Sequence, residues 1–291
     1  MAETGKRSAK DGPRAGLTRS MCARDFARFG EFIHTECGIK MPPGKKTMLE
    51  ARLQKRLRAL DLDDYGSYCE YLFSPAGMET ELVHLLDVVT TNTTDFFREP
   101  RHFDLLLNTL LPRWRTRHGG SRAFRIWSAG CSSGEEPYTM AMVLSDFASR
   151  AQGFTFSILA TDISTRVLEH ARRAIYSMDK IKPVSESYRK RFLLRSKDRS
   201  RELVRIAPEV RRLVAFQRLN FMEPISLETP MDMIFCRNVM IYFERATQEE
   251  LLRKFCANLR RGGHLFIGHS ESLTGLTLPL KQIAPTVYER E

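Results

Sequence analysis

The feature that most constrains this chain is a change of texture near residue 120. Beyond it, short apolar runs alternate with amphipathic stretches: Phe124 to Ala129, Phe156 to Thr161, Leu213 to Gln217, Met231 to Cys236 and His264 to Ile267, with a last strand at Thr286 to Tyr288. Strand-helix alternation of this kind predicts an α/β fold, a mainly parallel sheet covered by helices on both faces. Ligands of such sheets sit beyond the carboxyl ends of the strands. From Arg24 to about Leu86 the pattern is helical, broken at Pro42-Pro43-Gly44 and Ser74-Pro75-Ala76-Gly77, so a small helical domain comes first. The opening residues are small, polar and basic with nothing to bury and read as a flexible tail. The expected division is a tail over 1–20, a helical domain over 21–91, a linker and helix over 92–119 and an α/β domain over 120–291. The highly charged segment at about 188–212, between the second and third strands, suits an inserted hairpin.

With 42% hydrophobic and 28% charged residues in 291, the chain can bury a real core. No stretch reaches the roughly 18 consecutive apolar residues of a membrane span, and the first residues lack the apolar centre of a secretory signal. A cytoplasmic monomer without membrane insertion is expected. Six cysteines, at 22, 37, 69, 131, 236 and 256, form no C-x-x-C pair, so neither zinc ligation nor a disulfide framework is indicated. The net charge of +11 favours an acidic partner without naming it. One helix is delimited by local signals: Thr247 and Glu250 as a capping box, Leu251, Leu252, Phe255 and Leu259 as a stripe, and Gly262 just past its end.

Chemistry concentrates at the strand ends. In R-I-W-S-A-G-C-S-S-G-E-E-P-Y, from Arg125 to Tyr138, a strand runs into Gly130 and Gly134, and acids then open a helix. The glycines let a ligand approach the backbone. Glu135 and Glu136 would repel a pyrophosphate at that helix start, so a cationic or zwitterionic ligand is the better match. Asp162, ending the second strand, is placed to accept hydrogen bonds from ribose hydroxyls, although taken alone it could be a helix cap. Arg237, Asn238 and Tyr242 leave the fourth strand at the same edge, while Met240, Ile241 and Phe243 read as core. In T-T-N-T-T-D-F-F-R-E-P, residues 90 to 100, burial of Phe96 and Phe97 would hold Arg98 near the site. On the helix from Lys45 to Leu60, the stripe Leu49, Leu53, Leu57 and Leu60 is flanked by Lys45, Arg52, Lys55 and Arg56, either a solvated face or a surface for docking an acidic helix or phosphates.

Together these segments resemble the CheR family of chemotaxis receptor methyltransferases. The matching stretches are N-T-T-D-F-F-R-E (92 to 99), W-S-A-G-C-S-S-G-E-E-P-Y (127 to 138), A-T-D-I (160 to 163), I-F-C-R-N-V-M-I-Y-F (234 to 243) and G-H-S-E-S-L (268 to 273), in the family's order and spacing. The resemblance implies a small all-helical N-terminal domain joined to a Rossmann-like class I methyltransferase domain. The latter would have a mainly parallel seven-stranded sheet and an inserted small antiparallel β-subdomain. It implies S-adenosylmethionine as cofactor, with S-adenosylhomocysteine as product. Asn92, Thr94, Arg98, Gly130, Glu136, Asp162, Asn220, Phe221, Arg237 and Asn238 would contact it. Arg98 and Tyr242 would border the reacting methyl group. Lys45, Arg52, Lys55 and Arg56 would face the receptor's cytoplasmic helical domain. Asn220-Phe221 replaces the Asn-Leu of the family, a change that a backbone contact to adenine survives. Some members grip a receptor-tail pentapeptide with a glycine-bearing hairpin loop; Arg195 to Ser200 has no glycine, which argues against that contact here.

The implied reaction is methyl transfer to glutamate side chains of the receptor. Free glutamate has a pKa of about 4.3, so at neutral pH it is an ionised nucleophile that needs no general base. A water-poor site holding the reactants in line would accelerate a transfer that cancels opposite charges. Two other functions stay open: a nucleic-acid methyltransferase, which the basic charge permits but the missing Asn-Pro-Pro-aromatic turn disfavours, and a non-catalytic module sensing S-adenosylmethionine. No nucleic-acid partner and no metal are expected.

Overall fold

A computed structural model of the protein describes residues 20–291, so the expected tail falls, apart from Ser20, outside the described residues. The first unit is helical: α1 (Ala23–Cys37), α2 (Lys46–Leu60), α3 (Tyr65–Leu72), α4 (Pro75–Thr80) and α5 (Leu82–Val89). Leu49, Leu53 and Leu57, one turn apart on α2, are buried, and α2 packs against α3 and α5. Ser74 caps α4 by accepting from the Gly77 N–H, and Pro75 begins it, so the proline break is a helix start. At the centre of the unit Glu81, 1% exposed, accepts from Arg56 at 2.7 and 2.8 Å and from the Tyr68 hydroxyl at 2.9 Å. A buried carboxylate is tolerated when it is paired and hydrogen-bonded in this way.

A second pair of helices, α6 (Pro100–Leu105) and α7 (Leu111–His118), is joined by one π turn and leads into the α/β domain. Its strands are β1 (Phe124–Ala129), β2 (Phe156–Asp162), β6 (Val214–Arg218), β7 (Met231–Cys236), β8 (Leu259–Ile267), β9 (Leu280–Ala284) and β10 (Val287–Arg290). They form one seven-stranded sheet, ordered β6-β2-β1-β7-β8-β10-β9, parallel except around β10. Helices α8 (Glu135–Arg150), α9 (Thr165–Arg173) and α12 (Arg245–Asn258) cover it. Successive residues on the central strands serve opposite faces: Ile126 and Phe235 belong to one apolar cluster, Trp127 and Ile234 to the other. The helical unit shares the second cluster. It is also tied by Asp87, which accepts from Ser164 Oγ at 2.6 Å, Thr165 Oγ1 at 3.0 Å and the Arg166 N–H at 3.3 Å. An acid from one domain thus satisfies the N-terminus of a helix in the other.

Three local expectations are corrected. The inserted sheet has three strands: β3 (Ile175–Ser177), β4 (Leu193–Arg195) and β5 (Leu203–Ile206), antiparallel in the order β3-β5-β4. Its first strand lies outside the charged segment, and part of that segment forms α10 (Glu186–Phe192), with the short α11 (Pro208–Arg211) after β5. A lone hairpin is marginal, and the third strand pairs the open side of β5. Helix α12 starts at Arg245 with Glu244 at its cap, so Thr247 and Glu250 form no capping box; Gln248 reaches back instead to the carbonyls of Met240 and Phe243. The chain passes from α12 directly into β8, which contains Gly262. Finally, Met240 and Phe243 are core, but Ile241 is 46% exposed because the 3₁₀ turn Met240–Tyr242 swings it outward. The cysteines are all free, Cys22 exposed and the rest buried, and no described helix is long and apolar enough to cross a membrane.

Candidate active site

At the carboxyl edge of β1, β2 and β7 a cleft of about 870 Å³, its open mouth included, is lined by segments from both domains. Every residue expected at the cofactor or the reacting group lines it: Asn92, Thr94, Arg98, Gly130, Glu136, Asp162, Asn220, Phe221, Arg237, Asn238 and Tyr242. Parallel strands that end together force this convergence, because each following turn is delivered to one edge.

The floor is the turn after β1. Gly130 has φ +85°, a conformation that favours glycine, and a Cβ there would lie 2.6 Å from Val239 Cγ2. Asp162, 7% exposed, accepts from the Ser132 N–H at 2.8 Å on one oxygen and from the Ser164 N–H at 3.0 Å on the other. Burial pushes its pKa up, and the backbone donors of Ser164, Ser132 and Ile163 oppose that rise. A carboxylate has about four lone-pair sites, so capacity remains for hydroxyl donors. Ile39, Ile163, Leu219, Phe221, Val239 and Phe243 supply apolar wall nearby. An acid for a ribose, apolar surface for a flat base and a polar loop at the other end fit S-adenosylmethionine.

Arg237 is fixed rather than free. Its Nε donates to Glu136 at 2.7 Å, and one terminal nitrogen donates to the Arg98 carbonyl at 2.6 Å and lies 3.3 Å from Glu99. Glu136 also accepts from Ser128 Oγ at 2.6 Å. The pair expected to meet the cofactor separately is therefore a buried ion pair joining α8, β7 and the 92–99 loop. Phe96 is buried, edge-on to Tyr176, whereas Phe97 is only half-buried and has φ +53°. Arg98 donates to the Thr93 carbonyl at 3.0 Å, which folds the loop over the cleft. Asn220 donates to the Glu36 carbonyl at 2.7 Å and accepts from the Met222 N–H at 3.1 Å, so both ends of its side chain tie the helical unit to the turn after β6.

Glu271 carries a role that strand periodicity does not reveal. Its buried carboxylate accepts from the N–H groups of Gly268 at 2.6 Å, Met240 at 2.7 Å and Asn238 at 3.0 Å. It thereby holds the turn after β7, in which Asn238 has φ +60°. Cys37 and Ile39 also line the cleft from the end of α1. Only the C-G-I sequence after that helix, a glycine C-cap, marks the spot in the chain. The Cys37 thiol donates to the Ile33 carbonyl at 3.0 Å, and burial pushes its pKa up to about 12.

The four basic residues on the flank of α2 behave differently from one another. Arg56 is engaged by Glu81, and Arg52 donates to the Val89 carbonyl and to Thr91 Oγ1, the latter at 2.7 Å. Lys45 donates to the Lys40 carbonyl at 3.1 Å with its ammonium 5.8 Å from the Tyr242 ring centroid. Lys55 is exposed.

Residues 92–288 match the family model described as CheR methyltransferase, SAM binding domain, and residues 24–90 match the CheR methyltransferase all-alpha domain. A chemotaxis protein methyltransferase of Salmonella typhimurium is 39% identical over 275 residues, covering 94% of this chain and 92% of the relative. That of Borreliella burgdorferi is 37% identical, covering 91% and 94%. That of Escherichia coli is 39% identical, covering 90% and 89%. The cofactor is S-adenosylmethionine, in keeping with the cleft's acid and apolar walls. With both domain models matched in order across nearly all the described residues, the chain belongs to the CheR methyltransferase family.

Proposed function

We propose that the chain methylates glutamate side chains on the cytoplasmic helical domain of chemotaxis receptors, giving glutamate methyl esters, and that it works in the cytoplasm. The carrying observation is what the cleft lacks. Among the described residues, its lining contains no histidine and no lysine, its one thiol has a pKa of about 12, and its carboxylates are Glu136, ion-paired with Arg237, and Asp162, held by two backbone N–H groups and turned to the ribose end. Such a site is poorly equipped to remove a proton from an acceptor, and a glutamate that is already ionised does not require it.

S-adenosylmethionine supplies an electrophilic methyl group on a sulfonium. Asp162 takes the ribose end, Phe221 and Asn220 the base, the latter through its backbone, and the loop from Asn92 to Thr94 the remaining polar part. Arg98 and Tyr242 orient the incoming carboxylate. Arg98 should bond one oxygen and leave the other free, since engaging both would lower its nucleophilicity. Glu136, Arg237 and Asn238 keep the wall of the cleft in place. The helical unit over 21–91 presents Lys45, Lys55 and the partly engaged Arg52 and Arg56 to an acidic receptor helix, while 92–119 and 120–291 carry the chemistry.

The test is transfer of label from methyl-radiolabelled cofactor to receptor-containing membranes. Labelled receptor that releases volatile methanol in mild base is the expected result. Label stable to base, or found on nucleic acid, would overturn the assignment.

A further inference from the structure

The net charge of +11 is not absorbed by the cleft, where arginine and acid are matched. Part of it gathers at the opposite, amino edge of the same sheet. There a second groove of about 1280 Å³, its open mouth included, is lined by Arg113, Arg117, Arg122, Arg260, Arg261 and Arg290 against two carboxylates, Asp232 and Glu289. Asp232 is already saturated: it accepts from Arg122 at 2.5 and 2.7 Å, from Trp114 Nε1 at 3.1 Å and from the Arg125 N–H at 2.9 Å. Glu289 faces His264 at 3.4 Å. Among the described residues Arg113 and Arg117 have no carboxylate within ion-pair distance, and Arg261 is held only by its Nε donating to the main-chain oxygen of Glu291 at 3.3 Å.

The groove is built, not incidental. Met231 pairs with Leu259 and Met233 with His264, so Arg260-Arg261-Gly262-Gly263 bulges out between two ladder positions. Gly262 has φ +71°, and a Cβ there would lie 3.1 Å from a terminal nitrogen of Arg117, so the bulge closes against α7. The Nε atoms of Arg260 and Arg290 are screened from solvent and make no hydrogen bond among the described residues, although Arg260 Nε lies 3.9 Å from Asp232 and Arg290 donates through a terminal nitrogen to the Leu259 carbonyl; an unmet buried donor costs free energy that a ligand could recover. Two histidines on different elements sense the same field. Burial lowers the pKa of His264, Glu289 opposes the fall and Arg117 and Arg113 add to it; burial and then Arg122 lower that of His118, Asp232 opposes, and Arg117 and Arg260 add to the fall.

We infer that this groove binds a small ligand carrying two or more phosphates. Guanidinium groups from α7, the β8 bulge and β10 offer forked donors on converging sides, the geometry that suits phosphate oxygens. A concave groove favours a ligand that enters it over a flat anionic surface. The site lies a full strand of β7 away from the methyl-transfer cleft, about 17 Å at the usual rise per residue, so the two can be occupied together.

Titration calorimetry of the full chain with inorganic triphosphate, in metal-free buffer, tests this. Saturable binding is expected, weakened at least tenfold in Arg117→Ala/Arg261→Ala while affinity for S-adenosylhomocysteine stays at the wild-type value and so reports an intact fold. Substituting Lys190 and Lys197, exposed basic residues elsewhere, should leave triphosphate affinity unchanged. No binding, or an equal loss in the lysine variant, overturns the proposal. So does binding to phosphatidylglycerol vesicles without any binding of triphosphate, which would make the groove a membrane contact.

Discussion

The two ends of strand β7 present the same residue type in opposite circumstances. At its carboxyl end Arg237 is buried, held by Glu136, the Arg98 carbonyl and Glu99, and its charge is spent inside the protein. At its amino end Arg113 and Arg117 are exposed and have no carboxylate partner among the described residues. A buried charge must be matched locally because desolvation is expensive, whereas a surface charge can stay uncommitted because water already solvates it. The methyl-transfer cleft is therefore a rigid, neutralised container, and the opposite groove keeps its charge available for something that arrives from outside.

The contrast breaks most visibly in stability. Arg237→Ala leaves Glu136 buried without its partner and should cost about 3–5 kcal/mol, whereas Arg117→Ala should change stability by no more than about 0.5 kcal/mol. Urea denaturation of both variants checks this, and equal losses would erase the distinction. Next in size is Arg98→Ala, which should lower kcat about 100-fold or more through lost orientation while receptor affinity stays within about threefold. Wild-type turnover would remove Arg98 from the proposed chemistry.

A pH effect should come third. His102 is buried beside Arg237, and burial first, then that guanidinium, lowers its pKa to about 4, with Glu99 opposing. Its unfolded value is higher, so the unfolded chain takes up more protons between those limits. The stability of the neutral ring is then fully present above about pH 6.5 and is lost as pH falls toward 4, by about 2 kcal/mol between pH 7 and pH 5. Denaturation curves at the two pH values should show this fall, and His102→Asn should reduce it. The smallest effect is expected at Lys55, where Lys55→Glu should raise KM for receptor less than tenfold and lose that effect at high salt. Arg56→Ala should act mainly through thermal stability, because Glu81 would lose its partner.

Much of the site was legible along the chain because its logic is local. A strand followed by Gly130, or ending in Asp162, must deliver those residues to the carboxyl edge whatever else the fold does. Buried Phe96 two residues before Arg98 is likewise a short-range signal. The Arg237–Glu136 pair spans 101 residues, and Asp87 caps a helix that begins 78 residues later, so no periodicity announces either contact. The expected capping box at Thr247 failed because the helix begins at Arg245, which puts Thr247 inside its first turn, where Gln248 bonds the carbonyls of the turn after β7.

The sequence by itself determined where the parallel strands of the main sheet lie, the α/β architecture and the set of side chains gathered at one edge, because apolar periodicity and turn chemistry act over a few residues. Only the tertiary structure decided which charges cancel one another, which carboxylates hold backbone turns instead of ligand, and that the surplus of arginine collects at the far edge. Ion pairing and desolvation depend on distance and burial in three dimensions, and neither quantity is written in the order of the residues.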